Sequence, residues 1–255
     1  MQPETPSPPP RPRLRWYQYR LRTLLILMTV LAVWMSIISH HAQQQKIAVE
    51  KIKALGGWVE YDYETRKHYM LDSSMKLSPP GPAWLRSFIG DDYFQTVVYV
   101  DFIRSTVTDN DLAILDNLPH LEGLRLCKTK ISNKGLYHLE GLSKLKSLDL
   151  SETDIDGNGL IHLKYLTYLH DLSLGDTKIS DAGILHLPKL AHLEALLLDG
   201  TQVSNESLTY FRNFKELLWL NVEKTRVTEE GAKKLKEEIP DMKIDYSHDG
   251  EETSL

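Results

Sequence analysis

Leucine recurs at positions 121, 145, 169, 193 and 217, a spacing of 24 residues that never slips. Each of these leucines opens the pattern LxxLx(L/V)xxTx(I/V)(S/T/D); the stretch from Leu145 reads LKSLDLSETDIDGNGLIHLKYLTY, and that from Leu169 reads LHDLSLGDTKISDAGILHLPKLAH. A degenerate copy begins earlier, at Val97, with Val100, Phe102, Val107, Leu112, Leu115 and Leu118 in register, and a half copy (Asp241, Ile244, Tyr246) follows the last full one. A unit this short cannot enclose a core of its own. It leaves bare the face it should bury, so neighbouring units must stack and share one. The expectation is an α/β solenoid of about six coils over residues 97–246.

Within each unit, LxxLxL suits a short strand with alternate residues turned inward. Position 12 (Thr108, Ser132, Asp156, Ser180, Ser204, Thr228) always holds a residue type that caps helix N-termini. Position 15 is glycine in four coils (Gly135, Gly159, Gly183, Gly231), where a missing side chain lets neighbouring coils approach. Position 9 carries a hydroxyl throughout, from Ser105 through Thr129, Thr153, Thr177 and Thr201 to Thr225, able to bond the turn backbone. From Val97 to Tyr246 the chain resembles bacterial, membrane-anchored leucine-rich-repeat proteins with 24-residue repeats of the TxI(S/T)DxGL type. The resemblance implies a horseshoe with a parallel sheet inside and helical segments outside. It implies no particular ligand, because one repeat fold hosts many binding functions.

The N-terminus has a different composition. Six prolines among the first twelve residues favour an extended, solvated tail, read here as residues 1–22. Five arginines against Glu4 give that tail a charge of +4, leaving −9 for the rest of a chain whose total is −5. From Thr23 to Gln45 no Asp, Glu, Lys or Arg occurs. As a helix this segment is about 35 Å long, against a hydrocarbon core of about 30 Å, so it is read as a single transmembrane signal-anchor. The strictly apolar run, Leu24–Ile38, is only about 22 Å, which leaves a cleaved signal peptide and a buried soluble helix as rivals. No small-x-small cleavage site follows it. The arginines place the N-terminus in the cytoplasm of a single-pass cell-membrane protein and the repeats outside. Residues 46–96 then form a membrane-proximal helix and a small N-terminal cap: a helix to Leu55 stopped by Gly56 and Gly57, a strand at Trp58–Tyr63, a loop over Glu64–Pro82, and a short helix with Trp84, Leu85, Phe88 and Ile89 on one side. Strand and short helix are expected to cover the open edge of the first coil; an aromatic ligand site at Trp58 and Trp84 is the alternative. Residues 247–255 read as a disordered acidic tail.

A functional surface should lie on the outward strand positions, which line the inner, concave face. Its central row runs Asp101, Arg125, Asp149, Ser173, Leu197, Asn221; beside it run Tyr99, Gly123, Ser147, Asp171, Ala195 and Trp219. The last coils become apolar, and an exposed Trp beside Leu is the composition of an interface anchor. Trp219, Leu197, Asp171 and Asp199, with Arg125 and Asp149 in the polar coils, are the candidate contacts for a protein partner. A second role is open to Trp219, that of covering the last coils. A glycan or cell-wall component is the alternative ligand.

Catalysis is not expected, and no cofactor is called for. The chain shows no phosphate loop, HExxH or GxSxG, and the trio His68, Asp72, Ser73 in the cap loop has no recognised spacing. The column His138, His162, His186 is explained by repeat duplication rather than metal ligation. The solitary Cys127 excludes an intramolecular disulfide; it is read as a surface thiol whose pKa Lys128 lowers slightly. The net negative charge beyond the anchor would repel phosphates, so nucleic acid is not expected as a partner.

Overall fold

The computed structural model describes residues 16–64, 78–247 and 253–254, the first five and last two by backbone alone. The chain divides into two compact units, Met1–Ala42 and Gln43–Leu255. Helix α1 (Trp16–Ala54) begins in the first and ends in the second. It starts inside the segment expected to be an unstructured tail. Beyond Pro12 nothing in the sequence forbids helix, and a long apolar helix propagates backwards at little cost once nucleated. In the first unit every side chain from Leu21 to Ile37 is exposed. This is the one helix among the described residues long and apolar enough to cross a membrane, with a mean hydropathy of 2.2 over its most apolar window.

The second unit is built on one nine-stranded sheet in sequence order. Strand β1 (Trp58–Tyr61) pairs antiparallel with β2 (Val97–Asp101). The next strands follow in parallel, one per repeat: β3 (Gly123–Arg125), β4 (Ser147–Asp149), β5 (Asp171–Ser173), β6 (Ala195–Leu197), β7 (Trp219–Asn221) and β8 (Lys243–Tyr246). Each pairs with its neighbour at a spacing of 24 residues, as Leu148↔Leu172↔Leu196↔Leu220 illustrates. Every leucine in that row is buried, and with the other periodic leucines, isoleucines and valines it forms a single core running from Ala48 to Tyr246. A one-residue slip would turn this row to solvent, so burial fixes the register. Part of the tail expected to be disordered adds a last strand, β9 (Thr253–Ser254), antiparallel to β8. It occupies the edge that β8 would otherwise leave open.

The return segments are 3-10 helices in the first three full coils (Asp109–Asn117, Gly135–Leu139, Asn158–Tyr165) and α-helices in the last three: α3 (Asp181–Ile184), α4 (Asn205–Phe211) and α5 (Glu229–Glu238). The cap differs from expectation in one respect. Short helix α2 (Ala83–Ile89) forms after Pro82 as anticipated but buries no side chain. The first coil is closed instead by β1 at the sheet edge and by Ala48, Val49 and Ile52 of α1 over the core. Gly56, at φ +85°, ends α1, and the Gly57 N–H donates back to the Ile52 carbonyl.

Candidate interaction face

Two kinds of position repeat around the sheet, and only one of them varies. The structural kind holds coil to coil. At position 9, Thr129, Thr153, Thr177, Thr201 and Thr225 are buried, each donating its hydroxyl hydrogen to the carbonyl three residues back at 2.5–2.6 Å. At position 12, Thr108, Ser180, Ser204 and Thr228 are N-caps as expected; Ser132 and Asp156 instead lie two residues and one residue before the N-caps Lys134 and Gly157. The sequence did not flag position 13. Asp109 accepts from the N–H and Oγ of Ser132 (2.8 and 2.6 Å), Asp181 accepts from the same groups of Ser204 (2.8 and 2.7 Å) and from Ser207 Oγ, and Asn205 accepts from the Thr228 N–H (2.9 Å). Burial works against the charge on Asp181, but the hydrogen bonds from Ser207 and Ser204 outweigh it and hold its pKa below the ordinary value. This seam explains the glycines at position 15. A Cβ at Gly135 would lie 2.6 Å from Asp109 Oδ1, and one at Gly231 would strike Asn205. In the third full coil, position 13 is itself glycine: Gly157, at φ +104°, lies with its Cα against the backbone of Gly183.

Position 8 adds a local rule. Arg104, Lys128, Glu152, Asp176 and Lys224 all have φ between 51° and 59°, and only Gly200 meets the same need with glycine. Left-handed backbone costs an L-residue about 1–2 kcal/mol, so closure of the turn after each strand must outweigh it. Nothing in the residue types announces this.

The outward strand positions vary from coil to coil. Pairing aligns Tyr99, Gly123, Ser147, Asp171, Ala195, Trp219 and Lys243 in one row, and Asp101, Arg125, Asp149, Ser173, Leu197, Asn221 and Asp245 in the next. The N-terminal end is polar and internally paired. Arg125 lies 3.2 Å from Asp101 and 3.7 Å from Asp149. Burial raises the Tyr99 hydroxyl pKa, with Arg125 opposing. Tyr99 lies over Gly123, whose missing side chain makes room for the ring. Trp58 meets Tyr99 edge-on at 6.2 Å, so Trp58 joins this face, whereas Trp84 belongs to α2.

At the other end Trp219 follows Ala195 in its row, beside Leu197. Its indole N–H donates to Asp245 Oδ2 at 2.6 Å, and Lys243 Nζ lies 5.4 Å from the ring centre and 3.0 Å from Asp245. The ring is fixed by two residues of the final half coil yet remains 37% exposed, next to Leu218 at 54%. Trp219 therefore packs against the final half coil and still leaves part of its ring open to solvent. Asp171 is exposed at the border of this patch, two strand spacings or about 10 Å from Trp219. Partial desolvation by the surrounding strands, then the Glu194 charge, raises its pKa, and His170 opposes them. Asp199 turns away, its carboxylate lying where Gly175 has no side chain; burial raises its pKa and Asp176 adds to the rise. Arg125 and Asp149 form the separate N-terminal network, about 19 Å from Trp219 in the case of Arg125, four strands away. Lys243 and Asp245, which complete the patch, follow from extending the strand register into the half coil.

One expectation about a side chain changes. Cys127 is 8% exposed rather than a surface thiol, and its pKa is raised by burial, Asp149 and Glu152 against the pull of Lys128. In the histidine column, His162 Nδ1 lies 2.8 Å from Glu140 Oε1, a carboxylate one coil back, and Tyr137 packs edge-on between His138 and His162. Among the described residues no group of three or more His, Cys, Asp or Glu is placed to hold a metal. His68, Asp72 and Ser73 lie outside the described residues.

A family model described as Leucine Rich repeat matches residues 141–164, one repeat length. No curated protein matches the chain. Similar solved structures include an internalin (inlF) from Listeria monocytogenes, at 25% identity and TM-score 0.42, covering 52% of this chain and 36% of the internalin. An internalin C2 (inlC2) from the same organism aligns at 15% identity and TM-score 0.41, covering 61% and 82% of the two chains. A leucine-rich-repeat protein of Leptospira interrogans aligns at 23% identity and TM-score 0.41, covering 52% and 33%. This chain therefore spans about a third of the first and third of these. The 24-residue repeat and its one strand per coil define a fold of the leucine-rich-repeat solenoid type.

Proposed function

We propose that this chain is a non-catalytic, membrane-anchored interaction module of the bacterial envelope. A horseshoe of about six coils holds a concave face toward a protein partner outside the cytoplasmic membrane, and helix α1 crosses the bilayer over Thr23–Gln45 with its N-terminus in the cytoplasm. The observation that carries the reading is Trp219, immobilised by Asp245 and Lys243 while its ring stays partly open beside Leu218 and Leu197. A large aromatic already held in place loses little conformational freedom on binding, and this is how interface anchors gain affinity. Asp171 at the border supplies polar selectivity. The test is proximity crosslinking of the full-length protein in membranes against its Trp219→Ala variant. Loss of specific partners at an unchanged thermal transition supports the reading; equal capture by both overturns it.

The polar end supports a second reading, a glycan or cell-wall ligand. Trp58 and Tyr99 form an aromatic pair beside Arg125, Asp101 and Asp149, the mixture of ring surface and hydrogen-bonding groups that sugars use. Titration with cell-wall oligosaccharides that is abolished by Trp58→Ala and untouched by Trp219→Ala would favour it.

A further inference from the structure

Among the described residues, helix α2 carries the most exposed large apolar side chains outside the α1 span. Trp84 and Phe88, one turn apart, are 71% and 85% exposed. The helix is nonetheless held in place. Arg86 pairs with Asp91 at 3.3 Å, the Gly90 N–H donates to the Arg86 carbonyl, and the Phe94 ring lies against Gly81, clasping the two ends of the segment. The chain leaving this clasp is tied directly to α1: Gln45 Nε2 donates to the Gln95 carbonyl at 2.9 Å, and the Val97 N–H donates to Gln45 Oε1 at 3.0 Å. Gln45 is the last residue of the uncharged segment that begins at Thr23.

We propose that Trp84 and Phe88 seat in the headgroup–acyl interface of the same membrane that α1 enters. The inference rests on the anchor reading. If Thr23–Gln45 crosses the bilayer, Gln45 marks its exit, and the hydrogen bonds to Gln95 and Val97 keep the α2 clasp within a few residues of that exit. A bilayer is then present at this point by covalent connection, at an effective concentration no diffusing protein reaches. The side chains suit it, because an indole favours the interface, where its ring is apolar and its N–H stays wet. The chain would then meet the membrane through two contacts, one spanning and one interfacial.

The test uses the full chain in phosphatidylcholine–phosphatidylglycerol vesicles, with bromine placed either high or deep on the acyl chains. Trp84 and Trp34 are read as the fluorescence lost in Trp84→Phe and Trp34→Phe. The expected result is that shallow bromine quenches the Trp84 signal, aqueous acrylamide does not, and Phe88→Ser reverses both while leaving the thermal transition unchanged. Acrylamide quenching of Trp84 alongside deep-bromine quenching of Trp34 would overturn the inference and leave the anchor standing. Shielding of Trp84 from both quenchers would mean that protein covers α2, and would also overturn it. A Trp34 signal insensitive to bromine would remove the anchor itself, and the inference with it.

Discussion

The seam of hydrogen bonds between coils and the outward rows of the sheet are built from the same 24-residue unit, yet they behave oppositely. Along the seam the same chemistry returns: Asp109 to Ser132, Asp181 to Ser204, Asn205 to Thr228. Along the central row the residue changes at nearly every step, from Asp101 through Arg125 and Asp149 to Leu197 and Asn221. A position that must hold the stack is confined to the few solutions the seam allows, an Asp or Asn acceptor or, at Gly157, direct backbone approach. A position facing outward is released from that constraint and free to carry specificity. The repeats within one chain therefore separate the positions that hold the stack from those left free to vary.

That separation can be broken at its most constrained point. Gly157→Ala should destabilise the fold most, by about 2–5 kcal/mol, since it combines a left-handed backbone with a clash against Gly183 that neither backbone can relieve. Chemical denaturation would show a lowered midpoint. Asp181→Ala should cost about 1–3 kcal/mol by leaving Ser204 and the buried Ser207 without their acceptor. Because the folded-state pKa of Asp181 is depressed, its stabilisation is present above the ordinary aspartate range and is lost as pH falls through the lowered value. Denaturation midpoints of wild type and variant should converge in strong acid.

The varying rows should respond the other way. Trp219→Ala should change stability by less than about 1 kcal/mol, but weaken a partner that uses this patch by about 30-fold, an anchor-sized loss. A large fall in the thermal midpoint would instead make Trp219 part of the seam's task. The smallest effect is expected from Asp199→Asn, and its sign is reversed. Burial raises the Asp199 pKa, so its charge weakens the fold above that raised value, and protonation relieves the penalty as pH falls toward the ordinary aspartate range. The variant should therefore melt slightly higher at neutral pH, and the gain should disappear in acid.

The strand positions, the two outward rows and the small residues at position 15 were legible in the sequence because leucine burial fixes a register of 24, and that register orders everything attached to it. Trp219 and Leu197 were accordingly placed together in advance. The role of position 13 was hidden, because Asp and Asn look like solvated surface until the next coil's N–H groups are brought within reach. The left-handed residues at position 8 were hidden for another reason: Arg, Lys, Glu and Asp carry no signal of an unusual backbone, and the turn imposes it on whichever residue stands there.

Periodicity and apolar length, both local properties of the chain, were enough to determine a repeat solenoid preceded by a helix able to span a membrane. Tertiary structure alone decided that α2 leaves Trp84 and Phe88 uncovered while α1 and β1 close the first coil, that Cys127 is buried, and that Asp245 and Lys243 hold Trp219 in place. Each of these depends on contacts between residues distant in the chain or in successive coils, where the outcome is set by which surfaces the assembled coils bring together rather than by the character of any one residue.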